Sequence, residues 1–211
     1  LCDRRQRQMC IRDRFMSAYP ITPSSEIMEY MVKYAPDEGG VMLQTEDEIA
    51  ACTMAIGASY AGARAFTATA GPGLSLMAEA IGLAEMTETP LVLVDTQRGG
   101  PSTGLPTKHE QSDLMAAIYN THGDTGKIVL SPSSIEEAFY YTFEAFNLAE
   151  EYQCPVIVLS DLQLSLGKQS VTSLDYDKLQ IRRGKLIKEG LPEIKSPEYF
   201  KRYDLNAEDN I

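Results

Sequence analysis

Basic residues are scarce where the sequence is otherwise most protein-like. Residues 15–170 hold six Lys or Arg against twenty Asp or Glu, and the whole 211-residue chain carries a net charge of -11. So acidic a surface repels phosphate backbones, and nucleic-acid binding is not expected. Long apolar runs are missing too. The longest are pieces such as 91-LVLV-94 and 156-VIVL-159, far short of the ~20 residues that cross a bilayer. No basic stretch followed by an apolar core marks a secretory leader. A cytoplasmic protein with no membrane partner is the expectation.

Paired cysteines are absent. Two of the four, Cys2 and Cys10, fall in the first fourteen residues, and Cys52 and Cys154 stand far apart in apolar surroundings. Without a CxxC or a Cys/His cluster, no zinc or iron–sulfur site is expected in this chain, and Cys52 and Cys154 read as buried free thiols. Other signatures fail as well. The 71-GPG-73 turn lacks the third glycine of a dinucleotide fingerprint, and no GK[ST] marks a P-loop. No serine elbow, HExxH motif or carboxylate dyad is present. His109 and His122 both lie in loop-like stretches, where a hydrogen-bonding role is the simpler reading. There is no internal repeat and no low-complexity segment.

What is present falls into three regions. Residues 1–14 (LCDRRQRQMCIRDR) carry five Arg and two Asp and show no periodicity. This head resembles translated adapter sequence, so a non-native segment is expected there, with a basic targeting arm as the alternative. From Tyr19 onward short apolar runs alternate with helical stretches. Strands are predicted at 41–44, 64–69, 91–95, 127–130 and 155–160, and helices at 24–35, 47–62, 74–87, 110–119 and 134–152. The strands are continuously apolar, which suits burial on both faces. Alternating elements of this kind predict an α/β domain over 15–170 with a doubly wound, mostly parallel sheet. Because Tyr19-Pro20 follows so closely on the head, an upstream strand and helix are expected to be missing. Ser133-x-x-Glu136 reads as a capping box. Residues 171–211 are polar and read as a linker toward a second domain.

In an open parallel sheet, ligands bind beyond the carboxyl ends of the strands, and four stretches fall there. In 19-YPITPSSE-26, two prolines stiffen a turn and Thr22, Ser24 and Ser25 offer hydroxyls near a helix start, which suits an anion or simple capping. In 44-QTEDEIAA-51, Glu46 and Asp47 read as capping residues. Glu48 opens a strongly apolar helix, so partial burial, a raised pKa and a proton-handling role are open to it. In 67-TATAGPGLSLM-77, Gly71 and Gly73 flank Pro72 and allow close approach of a ligand, or merely a tight turn. In 95-DTQRGGPSTGLPTKHEQSD-113, Arg98 is one of two arginines in 15–170. It follows an apolar strand and precedes an unusually long loop. Its fork suits a substrate carboxylate, which is favoured over an ion pair with Asp95 or Asp113.

Together, YPITPSSEIMEYM, QTEDEIAA, TATAGPGLSLMAEAIGLAEMTETPLVLVD, QRGGPSTGLPTKHEQSDL and HGD…VLSPSSIEEAF resemble the alpha subunit of 2-oxoacid:ferredoxin oxidoreductases, of the 2-oxoglutarate-like branch. The resemblance is strong over about 17–165. It implies the pyrimidine-binding domain of the thiamine diphosphate fold and oxidative decarboxylation of a 2-oxoacid to an acyl-coenzyme A, with electrons passed to ferredoxin. It places Glu48 against N1′ of the aminopyrimidine, favouring the imino tautomer. It places Thr22 and Arg98 on the 2-oxoacid carboxylate, with Ser102, Thr103 and Gly104 beside the substrate. Pro20, Ile21, Gly71, Pro72 and Gly73 fall at the cofactor edge. It assigns Mg²⁺ and a [4Fe-4S] cluster to a beta subunit, so this chain alone is expected to be inactive. Two other readings stay open: the pyrimidine domain of a transketolase- or E1-type enzyme, and a non-catalytic α/β assembly domain.

Overall fold

The computed structural model describes residues 15–184. The head at 1–14 and the part of the expected linker beyond 184 lie outside the described residues. Six strands form one sheet: β1 Phe15–Ala18, β2 Val41–Gln44, β3 Ala65–Thr69, β4 Leu91–Gln97, β5 Ile128–Leu130 and β6 Pro155–Asp161. Their order is β2-β1-β3-β4-β6-β5, and every pairing is parallel. The helices are α1 Ser25–Tyr34, α2 Glu48–Tyr60, α3 Gly71–Leu76, α4 Ala78–Met86, α5 Leu114–Tyr119, α6 Ile135–Tyr152 and α7 Leu162–Leu166. The sheet is doubly wound, as the alternating pattern predicts.

The sheet separates two apolar layers. Leu91 and Leu93 of β4 and Ile157 and Leu159 of β6 face α2, α3, α4 and α5, meeting Cys52, Leu74, Met77 and Ile81. Val92, Val94, Val156 and Val158 face the other way, onto Met31 of α1 and Phe146 of α6. Strict alternation of inward side chains on both faces is what makes these strands continuously apolar in sequence. Leu93 is fully buried, and truncating such a residue to Ala costs about 2–5 kcal/mol.

Four details differ from the sequence expectations. A strand does precede Tyr19: Phe15–Ala18 forms β1, between the edge strand β2 and β3. Four residues are too few for a readable period. The single helix expected at 74–87 is two, α3 and α4, with Met77 between them. The capping box is shifted by one residue. Ser134 Oγ accepts from Glu137 N at 3.1 Å, and Glu137 Oε2 accepts from Ser133 N at 2.7 Å. The stretch 175–182 is docked on α6. The buried amide of Asn147 donates to Gln180 O at 3.0 Å and accepts from Arg182 N at 3.1 Å, while Tyr176 stacks edge-on against Phe139.

At the amino ends of the strands, Arg64 pairs with Glu150 at 3.1 Å and lies 5.0 Å over the Phe146 ring. Arg183 meets the same carboxylate at 2.7 Å. No helix among the described residues is long and apolar enough to cross a membrane.

Candidate functional site

The chain leaves β1 toward β2 on one side, then crosses back over β1 to β3. Neighbouring strands β1 and β3 therefore send their loops in opposite directions. A crevice opens at such a reversal, beyond the strands' carboxyl ends. The loop after β1 is 19-YPIT-22 and the turn after β3 is 71-GPG-73.

Glu48 is delivered to this crevice by the start of α2. Asp47 is extended and its Oδ1 accepts from Ala50 N at 2.7 Å, which fixes the first turn. Ser17 Oγ of β1 donates to Ala51 O at 2.6 Å and ties that turn to the sheet. Glu48 is buried, as its place at the head of an apolar helix suggests, and Asp47 is the cap. The Glu48 side chain lies on Gly73. A Cβ at Gly73 would come within 2.8 Å of Glu48 Cγ and 3.2 Å of Oε1, and it would overlap Thr69 Oγ1. Only glycine fits there.

On the other face of β4, Arg98 is buried. Its Nη1 donates to Thr22 O at 2.6 Å and its Nη2 to Thr103 O at 2.8 Å. Arg98 thus meets Thr22 on one side and the 102–104 loop on the other. Ser102 and Thr103 are exposed, and Gly104 is half-buried. Gly104 has φ +57°, and a Cβ there would overlap Gly99 O, so this corner also requires glycine. Among the described residues no carboxylate pairs with Arg98, and its Nε is buried without an acceptor. The ion pair with Asp95 or Asp113 is not formed. A buried guanidinium without a counter-charge is costly, and its remaining N–H groups suit an entering anion.

Pro20 and Ile21 are half-buried on the β1 exit. Ser24 Oγ donates to Ile21 O at 3.0 Å and does not cap α1. The histidines lie elsewhere. His109 Nδ1 stands 3.7 Å from Asp161, at the carboxyl end of β6, and exposed His122 stands 3.8 Å from Glu79. The Cys52 thiol is pushed up to about 12 and that of Cys154 to about 11, in both cases chiefly by burial. Among the described residues no cluster of His, Cys, Asp or Glu is arranged to hold a metal ion.

Sequence reasoning passed over one element of this region. Asp95, the fifth residue of β4, is fully buried, and Asp113 lies against the Gly71 turn. The two carboxyl groups lie close enough for each to act on the other's charge, and neither Asp95 oxygen has a donor among the described residues. Burial first, then the neighbouring Asp113 charge, raises the Asp95 pKa well above its ordinary value. Burial, then Glu110, raises that of Asp113. An acid inside the run LVLVD was the available signal.

Residues 8–207 match the family described as pyruvate flavodoxin/ferredoxin oxidoreductase, thiamine diphosphate-binding. The chain belongs to this family. The 2-oxoglutarate synthase subunit KorA of Methanothermobacter marburgensis is 55% identical over 172 residues, which are 82% of this chain and 45% of that protein. The 2-oxoglutarate oxidoreductase subunit KorA of Mycobacterium tuberculosis is 44% identical over 84% of this chain and 27% of its own length. A solved 2-oxoglutarate:ferredoxin oxidoreductase from Magnetococcus marinus, with 2-oxoglutarate, coenzyme A and succinyl-CoA bound, superposes with a TM-score of 0.85 at 46% identity. That match covers 95% of this chain and 34% of the solved one. The chain thus spans less than half the length of these relatives. Within the family it supplies a thiamine diphosphate-binding domain on a six-stranded parallel sheet.

Proposed function

We propose that this chain is the pyrimidine-binding part of the alpha subunit of a 2-oxoacid:ferredoxin oxidoreductase, converting 2-oxoglutarate and coenzyme A to succinyl-coenzyme A with ferredoxin as electron acceptor. The observation that carries the reading is the buried Glu48 carboxyl seated on the side-chain-free Cα of Gly73 at the β1/β3 crevice. A flat ring needs a floor without side chains and one fixed acid at its edge, and this corner has both. Bound there, thiamine diphosphate supplies the carbanion chemistry at the keto carbon, while the protein orients and polarises it.

Glu48 holds a proton at its Oε atoms for the ring nitrogen N1′. Gly71, Pro72 and Gly73 with Pro20 and Ile21 form the walls. Arg98 presents its free N–H groups to a substrate carboxylate beside Thr22, and the backbone carbonyls of Thr22 and Thr103 keep the guanidinium in place. Ser102, Thr103 and Gly104 border the same side. Mg²⁺ and the [4Fe-4S] cluster belong to the beta subunit in this reading, so the complete site forms only in the complex. The names of the relatives favour 2-oxoglutarate among 2-oxoacids.

The test is co-expression with a beta subunit, followed by viologen or ferredoxin reduction that depends on both 2-oxoglutarate and coenzyme A. Glu48→Gln should lower the rate roughly 100-fold or more. Full activity in that variant would remove Glu48 from its role, and a preference for pyruvate would overturn the substrate assignment.

A further inference from the structure

Asp95 is an anomaly in the core. It faces the layer that holds Leu91 and Leu93, and no N–H or hydroxyl among the described residues reaches either of its carboxyl oxygens. Asp113 Oδ2 is equally unserved. Asp113 is the charged group that acts on Asp95, and Asp113 in turn is met by Ser112. Asp113 is itself held in place, because its N–H donates to Gln97 Oε1 at 2.9 Å, and Gln97 Nε2 donates to Ser160 O at 3.2 Å. The Asp113 carboxyl then lies directly on Gly71. A Cβ there would come within 2.7 Å of Oδ2 and 2.9 Å of Oδ1. Gly71 opens the turn whose other end, Gly73, touches Glu48.

We propose that Asp95 and Asp113 form a hydrogen-bonded acid pair that sets the position of the Gly71–Gly73 turn against Glu48, and so act as positioning residues for the thiamine ring. The inference rests on the function proposed above. Two ionised carboxylates cannot share this contact; with one proton between them, Asp95 donates and Asp113 accepts. The raised pKa of Asp95 agrees with that distribution. Other charged groups at this edge are Glu110 of the long loop, Glu48 on α2, and Asp161 with His109 at the carboxyl end of β6; Arg98 leaves β4 on the opposite face. None of these is placed to give Asp95 a cationic partner. As pH rises and the shared proton is lost, Asp113 is driven off Asp95, and the turn moves with it.

The experiment uses the assembled two-subunit enzyme, with Asp95→Asn and Asp95→Ala. Asn cannot ionise but still donates to Asp113. Difference infrared spectra should show a protonated carboxylic acid in the wild type at neutral pH that is missing in Asp95→Asn. Thiamine diphosphate titrations should show wild-type affinity weakening on the alkaline side. Asp95→Asn should bind within about threefold of wild type at neutral pH and lack the alkaline weakening. Asp95→Ala should bind roughly tenfold or more weakly at all pH values. Absence of the carboxylic acid band, an unchanged alkaline limb in Asp95→Asn, or wild-type affinity in Asp95→Ala would each overturn the proposal. Wild-type enzyme with no affinity for thiamine diphosphate would instead overturn the functional reading and remove the positioning role with it, leaving the infrared band to decide the acid pair.

Discussion

The Glu48 side chain packs on Gly73 at the crevice between β1 and β3 so closely that a Cβ at Gly73 would come within 2.8 Å of Glu48 Cγ and 3.2 Å of Oε1, so no side chain can be added at Gly73 without moving Glu48. Gly73→Ala should therefore displace Glu48 and Thr69 together. The expected cost is about 1–3 kcal/mol in a denaturant titration, as for overpacking a close contact. In the assembled enzyme, cofactor affinity should fall in the same variant. A Gly82→Ala control, at a helical glycine with nothing within 4 Å of the added Cβ, should show neither effect.

Arg98 is anchored by two carbonyls and offers the rest of its fork. Lysine preserves the charge but cannot span Thr22 O and Thr103 O while also meeting a carboxylate. Arg98→Lys should raise the KM for the 2-oxoacid about 10–100-fold, with a smaller change in kcat. Steady-state kinetics against 2-oxoglutarate measure the split. An unchanged KM would place the substrate carboxylate elsewhere.

Asp95 also predicts a pH dependence of folding. Its folded pKa lies well above the ordinary 3.8, so the native state keeps a proton that the unfolded chain releases. The contribution of this group is full below about pH 4 and is lost as pH rises toward the folded pKa, at up to about 1.4 kcal/mol per pH unit. Asp95→Asn should therefore unfold at higher urea than wild type at pH 8. The gap should narrow as the pH approaches 4.

Asn147 predicts how the end of the described chain is held. Its amide replaces two backbone partners for the 180–182 stretch. Asn147→Ala should leave those groups unserved and lower stability by about 1–3 kcal/mol. Faster amide exchange across 175–184, read by mass spectrometry with the sheet unchanged, is the expected signature.

Cys52, fully buried with its thiol pushed up to about 12, should not react with a thiol probe in the folded protein at pH 8. In a background lacking Cys2 and Cys10, labelling of Cys52 should follow unfolding.

The sheet was legible because its strands are buried on both faces. Runs such as LVLV and VIVL state this directly, and five of six strands lie close to their predicted bounds. β1 was not legible, since four residues carry no period. The break between α3 and α4 was also hidden, because Met77 suits a helix and only the packing of Leu74 and Met77 beneath the sheet shows the bend. At the site, Glu48 and Arg98 stood out as charges in apolar or acidic surroundings. Asp95 was written in the same way but was read as a strand end, because the sequence does not show that β4 runs two residues further. Its link to Asp113 depends on a loop closure that no spacing rule encodes.

The 98–113 loop closes on itself. Gly99 N donates to Lys108 O, Leu105 N to Gly99 O and Lys108 N to Leu105 O. It meets Arg98 on one layer, while Glu48 sits on the other. Under the proposed function, selectivity and proton handling would then be housed in separate parts of the architecture. A segment closed in this way is expected to be exchangeable as a unit: replacing 99–108 by that of a relative with another substrate should, on the proposed function, retune acid recognition without rebuilding the cofactor floor.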